Sequence, residues 1–264
     1  MNISEGARDE VIEPCGLDFF DFQIDPYSGC AHQCAYCYTR NDAPLDWENE
    51  VGVLPGLEEK LDRELASMAP GTIYIGMNTD PYQPAEEDLR QTRTVLETLD
   101  RAGFSVCILT KSDLVLRDSG VIKHMQGSSV GFSLAFADEE ARGAFERNTI
   151  SLGAKLEALE KLRKAGIETY ALVDPVIPAI TDVDALLEML APRVDTVWVY
   201  ALRMASREDP NWRATRDVLL GRFPGALEEV ERAAFNEDDD YWVNLRERLR
   251  KKAGSLPAKL EIHV

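Results

Sequence analysis

Asp25-Pro26-Tyr27-Ser28-Gly29-Cys30-Ala31-His32-Gln33-Cys34-Ala35-Tyr36-Cys37-Tyr38 is the stretch on which the reading of this chain turns. Three of the five cysteines, Cys30, Cys34 and Cys37, fall within it at C-x3-C-x2-C spacing. Thiolates are soft donors suited to iron–sulfur clusters and to zinc. One loop supplies three of them and no evident fourth, so a [4Fe–4S] cluster held here keeps one iron open to a small molecule. A closed zinc site is the competing reading, with His32 or Cys15 as fourth ligand. His32 lies between two of the cysteines, too close for easy tetrahedral closure, and Cys15 is fifteen residues upstream of Cys30. Structural zinc sites usually bring two ligand pairs, so a single compact group favours the open cluster.

Tyr36 completes the pattern C-x3-C-x-aromatic-C. That pattern resembles the signature of the radical S-adenosylmethionine (radical SAM) superfamily. The resemblance implies a [4Fe–4S] cluster whose free iron chelates the amino and carboxylate groups of SAM. It implies reductive cleavage of SAM to a 5′-deoxyadenosyl radical, and a cellular one-electron reductant such as flavodoxin or ferredoxin.

Around the motif, apolar β-branched runs recur. An extended segment near Phe19–Asp25 enters the cysteine loop, followed by runs at Thr72–Met77, Phe104–Thr110, Ser129–Ala135, Glu168–Val173 and Val194–Tyr200. Each is bounded by Gly, Pro, Asp or Asn, as buried parallel strands tend to be. Helical spacing fills the gaps: Leu57, Leu61, Leu65 and Met68; Leu89, Val95, Leu96 and Leu99; Leu152, Leu156, Leu159 and Leu162, ended by Gly166. A shorter stripe, Leu186, Leu187 and Leu190, precedes Pro192. The alternation predicts an α/β fold, a partial (β/α)6 barrel of the radical SAM type with a helical C-terminal extension. The expected divisions are an N-terminal segment over 1–18, the barrel over 19–205 and helices over 206–264 that cover the barrel.

At 264 residues and 45% hydrophobic, the chain is long enough for one sizeable core. No apolar stretch approaches the ~18 residues that span a bilayer, so no membrane partner is expected. The N-terminal run shows neither a basic n-region nor an apolar h-region, and the cysteines do not form a disulfide framework. A cytoplasmic setting is therefore expected. The net charge of −18 opposes association with nucleic acid, which rests on clustered Lys and Arg. Runs such as Glu237–Asp240 read as a solvated face.

In a β/α barrel, functional groups gather at the C-terminal ends of the strands. The cysteines follow the first strand. Gly76-Met77-Asn78-Thr79-Asp80-Pro81-Tyr82-Gln83-Pro84 follows the second and Thr110-Lys111-Ser112 the third; Ser133 closes the fourth. Asp174-Pro175-Val176-Ile177-Pro178 follows the fifth and Arg203 the sixth. Asn78, Thr79 and Asp80 stand where radical SAM proteins commonly carry a Gly-rich acidic stretch for SAM's ammonium. A turn cap at Asp80-Pro81 is the alternative. Lys111 offers a cation to a carboxylate, and Ser133 a hydroxyl to the SAM ribose. Arg142 is spaced for a helical ion pair with Glu146, and Tyr200 reads as core. Cys107, among Val106, Ile108 and Leu109, reads as a buried inert thiol.

These runs, with Thr92-Arg93, Arg117-Asp118 and Thr181-Asp182, resemble a radical SAM group related to spore photoproduct lyase, a DNA-repair enzyme. The resemblance covers about residues 20–205 and leaves the substrate unknown. That lyase uses a hydrogen-donor cysteine near the end of the second strand, where this chain has Met77, Asn78 and Thr79. DNA repair is accordingly the second reading, with DNA an unexpected partner. A non-catalytic iron–sulfur or zinc-stabilised module is the third.

Overall fold

The computed structural model describes residues 1–6 and 8–264. Its main sheet contains, in chain order, β1 (Ile12–Pro14), β2 (Phe22–Ile24), β3 (Thr72–Ile75), β4 (Ser105–Thr110), β5 (Ser129–Ser133), β6 (Glu168–Val176), β7 (Thr196–Ala201) and β8 (Lys259–His263). The strands lie side by side in that order across the sheet. Each neighbouring pair from β2 to β8 is parallel, while β1 runs antiparallel to β2. β1 and β8 are the two edges, so the barrel is curved but open. The strands expected from apolar runs, β2 to β7, form its parallel middle.

Helices cover the outer face. Leu57–Leu65 buries Leu57, Leu61 and Leu65, and Gln91–Arg101 buries Val95, Leu96 and Leu99 against the sheet. Leu152–Lys164 starts at Ser151, whose hydroxyl accepts from the Ala154 N–H; Asp138 and Asp182 cap the starts of their helices in the same way. Among the described residues, no helix is long and apolar enough to cross a membrane.

Glycine is required at two places by close approach. Gly76, just after β3, has φ 101°, and a Cβ there would meet the Leu109 carbonyl at 2.4 Å. A Cβ on Gly131 would lie 2.1 Å from the Tyr170 ring, which crosses the barrel interior there. The first packs the loop after β3 tightly against β4; the second makes room for an aromatic floor.

Two parts of the fold are absent from the sequence reading. Asn2–Glu5, Glu50–Val53 and Tyr27–Ser28 form a three-stranded side sheet that brackets the start of the cysteine loop. The C-terminal segment, expected to be helical, includes Pro210–Arg222, Leu227–Ala234 and Asp240–Ala253 but ends in β8. Lys259-Leu260-Glu261-Ile262-His263 alternates polar and apolar residues, the period of a strand, and pairs with β7 in parallel. The preceding helices bury Trp212 and Trp242, which anchor them to the core.

Candidate active site

The cysteine loop is built to point inward. Gln33 takes a left-handed φ of 50°, and Gln33 N–H donates to the Cys30 carbonyl while Cys37 N–H donates to that of Cys34. These turns bring Cys30, Cys34 and Cys37 onto the wall of one cavity of about 330 Å³. The same cavity is lined by Asn78, Thr79, Asp80, Lys111 and Ser133. Every site residue expected from the sequence therefore meets the others across the end of the barrel. Asp174, Arg203, Tyr36 and Tyr38 line it too, whereas Cys15 and Cys107 do not. Cys107 packs with Tyr74 and Tyr170 in the barrel interior and lies 3.3 Å from the Tyr170 hydroxyl, with Cys15 beside that group.

The lining residues divide into those already engaged and those left free. Thr79 Oγ1 donates to the Gly29 carbonyl at 2.6 Å, and Gln83 Nε2 donates to the same carbonyl at 3.1 Å. Asn78 and Thr79 are held by buried Asp25, which accepts from both backbone N–H groups and from Asn78 Nδ2. Tyr38 Oη lies 2.7 Å from the Met77 carbonyl. The loop after β3 is thus stitched to the cysteine loop along its length.

Asp80 is the centre of that stitching. Its carboxylate accepts from Thr110 Oγ1 at 2.6 Å, Lys111 N–H at 2.7 Å and Tyr82 N–H at 2.9 Å, and lies 3.2 Å from His32 Nε2. Burial opposes its charge, but His32 and these donors outweigh that and hold it at about 2. His32 Nδ1 faces the Asn148 carbonyl at 2.9 Å, so the ring is held between that carbonyl and Asp80. His32 lines the cavity beside the thiols, but its ring nitrogens face Asp80 and the Asn148 carbonyl, which makes it part of this clamp.

Below the loop lies a buried ion pair that sequence reading passes over. Lys155 Nζ donates to Glu146 Oε2 at 3.0 Å and to the Ser133 carbonyl at 3.2 Å, and the Tyr36 hydroxyl donates to Glu146 Oε1. Burial opposes the Glu146 charge, yet Lys155 and Lys111 hold it at about 2. A signal was present: Lys155 stands three residues after Leu152 and four before Leu159, on the stripe that faces the core. Arg142, expected to pair with Glu146, instead pairs with Glu139 and donates to backbone carbonyls including that of Glu146.

Lys111 and Asp174 are two lining groups whose charged ends make no hydrogen bond among the described residues. Among the described residues, the Lys111 ammonium has no hydrogen-bond partner; it lies 5.9 Å from the Tyr36 ring centre. Burial works against its charge, while Cys34, Glu146, Asp80 and Asp174 outweigh that and keep it protonated. Burial pushes Asp174 up to about 6 against the pull of Lys111. Ser133 Oγ lies 3.3 Å from the Asp174 carbonyl, and Arg203 stacks over Trp242 at the cavity edge.

The donor set fits a cluster better than a single ion. No three His, Cys, Asp or Glu side chains among the described residues converge on one ion. Three thiols spread around one cavity instead suit a group that offers each thiolate its own iron. Burial pushes Cys30 up to about 12 and Cys34 well above its ordinary value, so metal would have to displace the protons.

Comparison with known proteins agrees with this architecture. The family model of the radical SAM superfamily matches residues 24–190. An uncharacterized protein of Methanocaldococcus jannaschii is 30% identical over 75% of this chain and 76% of its own length. An uncharacterized protein of Mycobacterium tuberculosis is 29% identical over 98% of this chain and 80% of its own. A spore photoproduct lyase mutant with bound AdoMet and dinucleoside spore photoproduct shares the fold, with a TM-score of 0.69 at 16% identity over 99% of this chain and 82% of that one. The chain belongs to the radical SAM superfamily.

Proposed function

We propose that this protein is an enzyme in which Cys30, Cys34 and Cys37 hold a [4Fe–4S] cluster and SAM is reductively cleaved to abstract hydrogen from a substrate. The observation that supports it is the meeting of three thiols with the unpaired Lys111 ammonium in one cavity. When bound, the cluster and SAM supply the electron transfer and the radical chemistry.

The chain's own residues bind and orient. Lys111 takes SAM's carboxylate, a charge-assisted contact worth roughly 1.5–3 kcal/mol. Ser133 is available to a ribose hydroxyl. Asn78, Thr79 and Asp80 shape the SAM side of the cavity chiefly through their backbone, since their side chains are engaged with Asp25, Gly29, Thr110 and His32. Asp174 faces the remaining space as an acid able to change charge near neutral pH. Tyr36, pinned by Glu146, closes the floor and keeps water from the thiols.

The test is anaerobic reconstitution with iron and sulfide, followed by dithionite and SAM. Release of 5′-deoxyadenosine and methionine is expected. Cys30→Ala, Cys34→Ala and Cys37→Ala should each lose the brown chromophore, whereas Cys15→Ala and Cys107→Ala should keep it. Full cluster content in Cys34→Ala, or a colourless protein with one zinc, would overturn the proposal.

A further inference from the structure

With Lys111 and Ser133 assigned to SAM, the cavity still holds an acid with nothing to bind. Asp80 is already held by the Thr110 hydroxyl and by the Lys111 and Tyr82 N–H groups. The Asp174 carboxylate, by contrast, makes no hydrogen bond or ion pair among the described residues. Asp174 lies in β6, which β3, β4 and β5 separate from the strand leading into the cysteine loop. Burial works against its charge, Lys111 counters that, and Glu146 adds to the burial. Once Lys111 meets SAM's carboxylate, its charge is shared with a second anion. Asp174 then faces the remaining space short of positive charge.

The surroundings offer no substitute. Met77, Leu109, Pro175, Ala201 and Leu202 line the same cavity with the ring of Tyr38. Burial and then the Asp174 charge raise the Tyr200 hydroxyl, and the Tyr200 ring stacks with those of Trp198 and His263. Arg203 stands exposed at the cavity edge with its guanidinium over Trp242 and does not pair with Asp174. A neutral substrate would leave the carboxylate unpaired against apolar walls, and an anionic one would be repelled by it. A cation satisfies the carboxylate and suits the aromatic faces beside it.

We propose that Asp174 recognises a protonated amine on an otherwise largely apolar substrate, and so selects such substrates over neutral and anionic ones. The inference rests on the radical SAM reading, which places SAM against the thiols and leaves the space beside Asp174 to the substrate. The carboxylate holds the amine by a charge-assisted hydrogen bond and thereby fixes which C–H bond faces SAM.

The test uses the reconstituted, SAM-loaded protein and matched pairs of probes: benzylamine with benzyl alcohol, phenethylamine with 2-phenylethanol, and tryptamine with tryptophol. Probe binding is measured by anaerobic titration calorimetry, and SAM affinity by equilibrium dialysis. In the wild type at least one amine should bind about tenfold or more tightly than its alcohol. Asp174→Asn should abolish that preference, Asp174→Glu should keep part of it, and both should bind SAM as the wild type does. No preference in any pair, or one that survives in Asp174→Asn, would overturn the amine site alone. So would a SAM affinity that falls about tenfold in Asp174→Asn, which would give the carboxylate to SAM. A wild-type protein that neither assembles a cluster nor releases 5′-deoxyadenosine would overturn both readings.

Discussion

His32 Nε2 lies 3.2 Å from Asp80 Oδ2, and both side chains are almost fully enclosed. One contact thereby ties the middle of the cysteine loop to the end of β3, whose carboxylate also fastens the start of the loop after β4. Asp80→Ala should leave the Thr110 hydroxyl and the Lys111 and Tyr82 N–H groups without their acceptor and cost about 3–5 kcal/mol in denaturant unfolding. Reconstituted iron content should fall with it. Wild-type stability and iron loading in Asp80→Ala would show that the loop holds its shape without the clamp.

Acid should act through the same clamp and through the pair beneath it. Asp80 and Glu146 are each held at about 2, below their ordinary values of 3.8 and 4.5. The folded state therefore holds their protons less tightly than the unfolded chain. Their contribution is complete above about pH 4.5 and is lost as pH falls towards 2. Unfolding free energies measured from pH 6 to pH 2 should decline most across that window, and less steeply in Asp80→Asn.

Glu146→Gln should destabilise the protein by about 3–5 kcal/mol, because Lys155 stays buried without its partner. Glu146→Leu combined with Lys155→Met should recover most of that loss. Chemical unfolding of the single and double variants checks it. Additive losses would mean that the two side chains are not energetically coupled.

Asp174 should behave in the opposite sense. Its folded value of about 6 exceeds the ordinary 3.8, so its contribution to stability falls as pH rises from about 4 to 6 and stays unfavourable above. Asp174→Asn should raise stability by about 2 kcal/mol at pH 7.5 and by little at pH 4, while lowering substrate turnover. The same gain in melting temperature at both pH values would refute the electrostatic cause.

Lys111→Met should weaken SAM binding to the reconstituted protein by roughly tenfold or more, with Lys111→Arg recovering part of it. Equilibrium dialysis with labelled SAM measures this. Undiminished affinity in Lys111→Met would remove the lysine from the SAM site.

DNA should not bind tightly. At a net charge of −18, counterion release offers little driving force. Met77 lines the cavity just after β3, where this chain carries no cysteine. Submicromolar binding to duplex DNA at physiological salt, or conversion of dinucleotide photoproduct to thymines by chromatographic assay, would contradict this.

The local code determined the thiols, the strand–helix alternation and the rim on which the candidate site residues gather. Those signals are written in spacing: C-x3-C-x2-C within one loop, and apolar runs that must be buried on both faces of a parallel sheet. Pairing across long separations was decided only by the fold. Lys155 meets Glu146 and Ser133, and His32 meets Asp80 and Asn148, because neighbouring strands deliver distant loops to the same end of the sheet. Asp80 is the clearest instance: its sequence position marks a site residue, but its hydrogen bonds make it a clamp. A buried polar group must find partners, and which partners are in reach is a property of the packed chain, not of its neighbours in sequence.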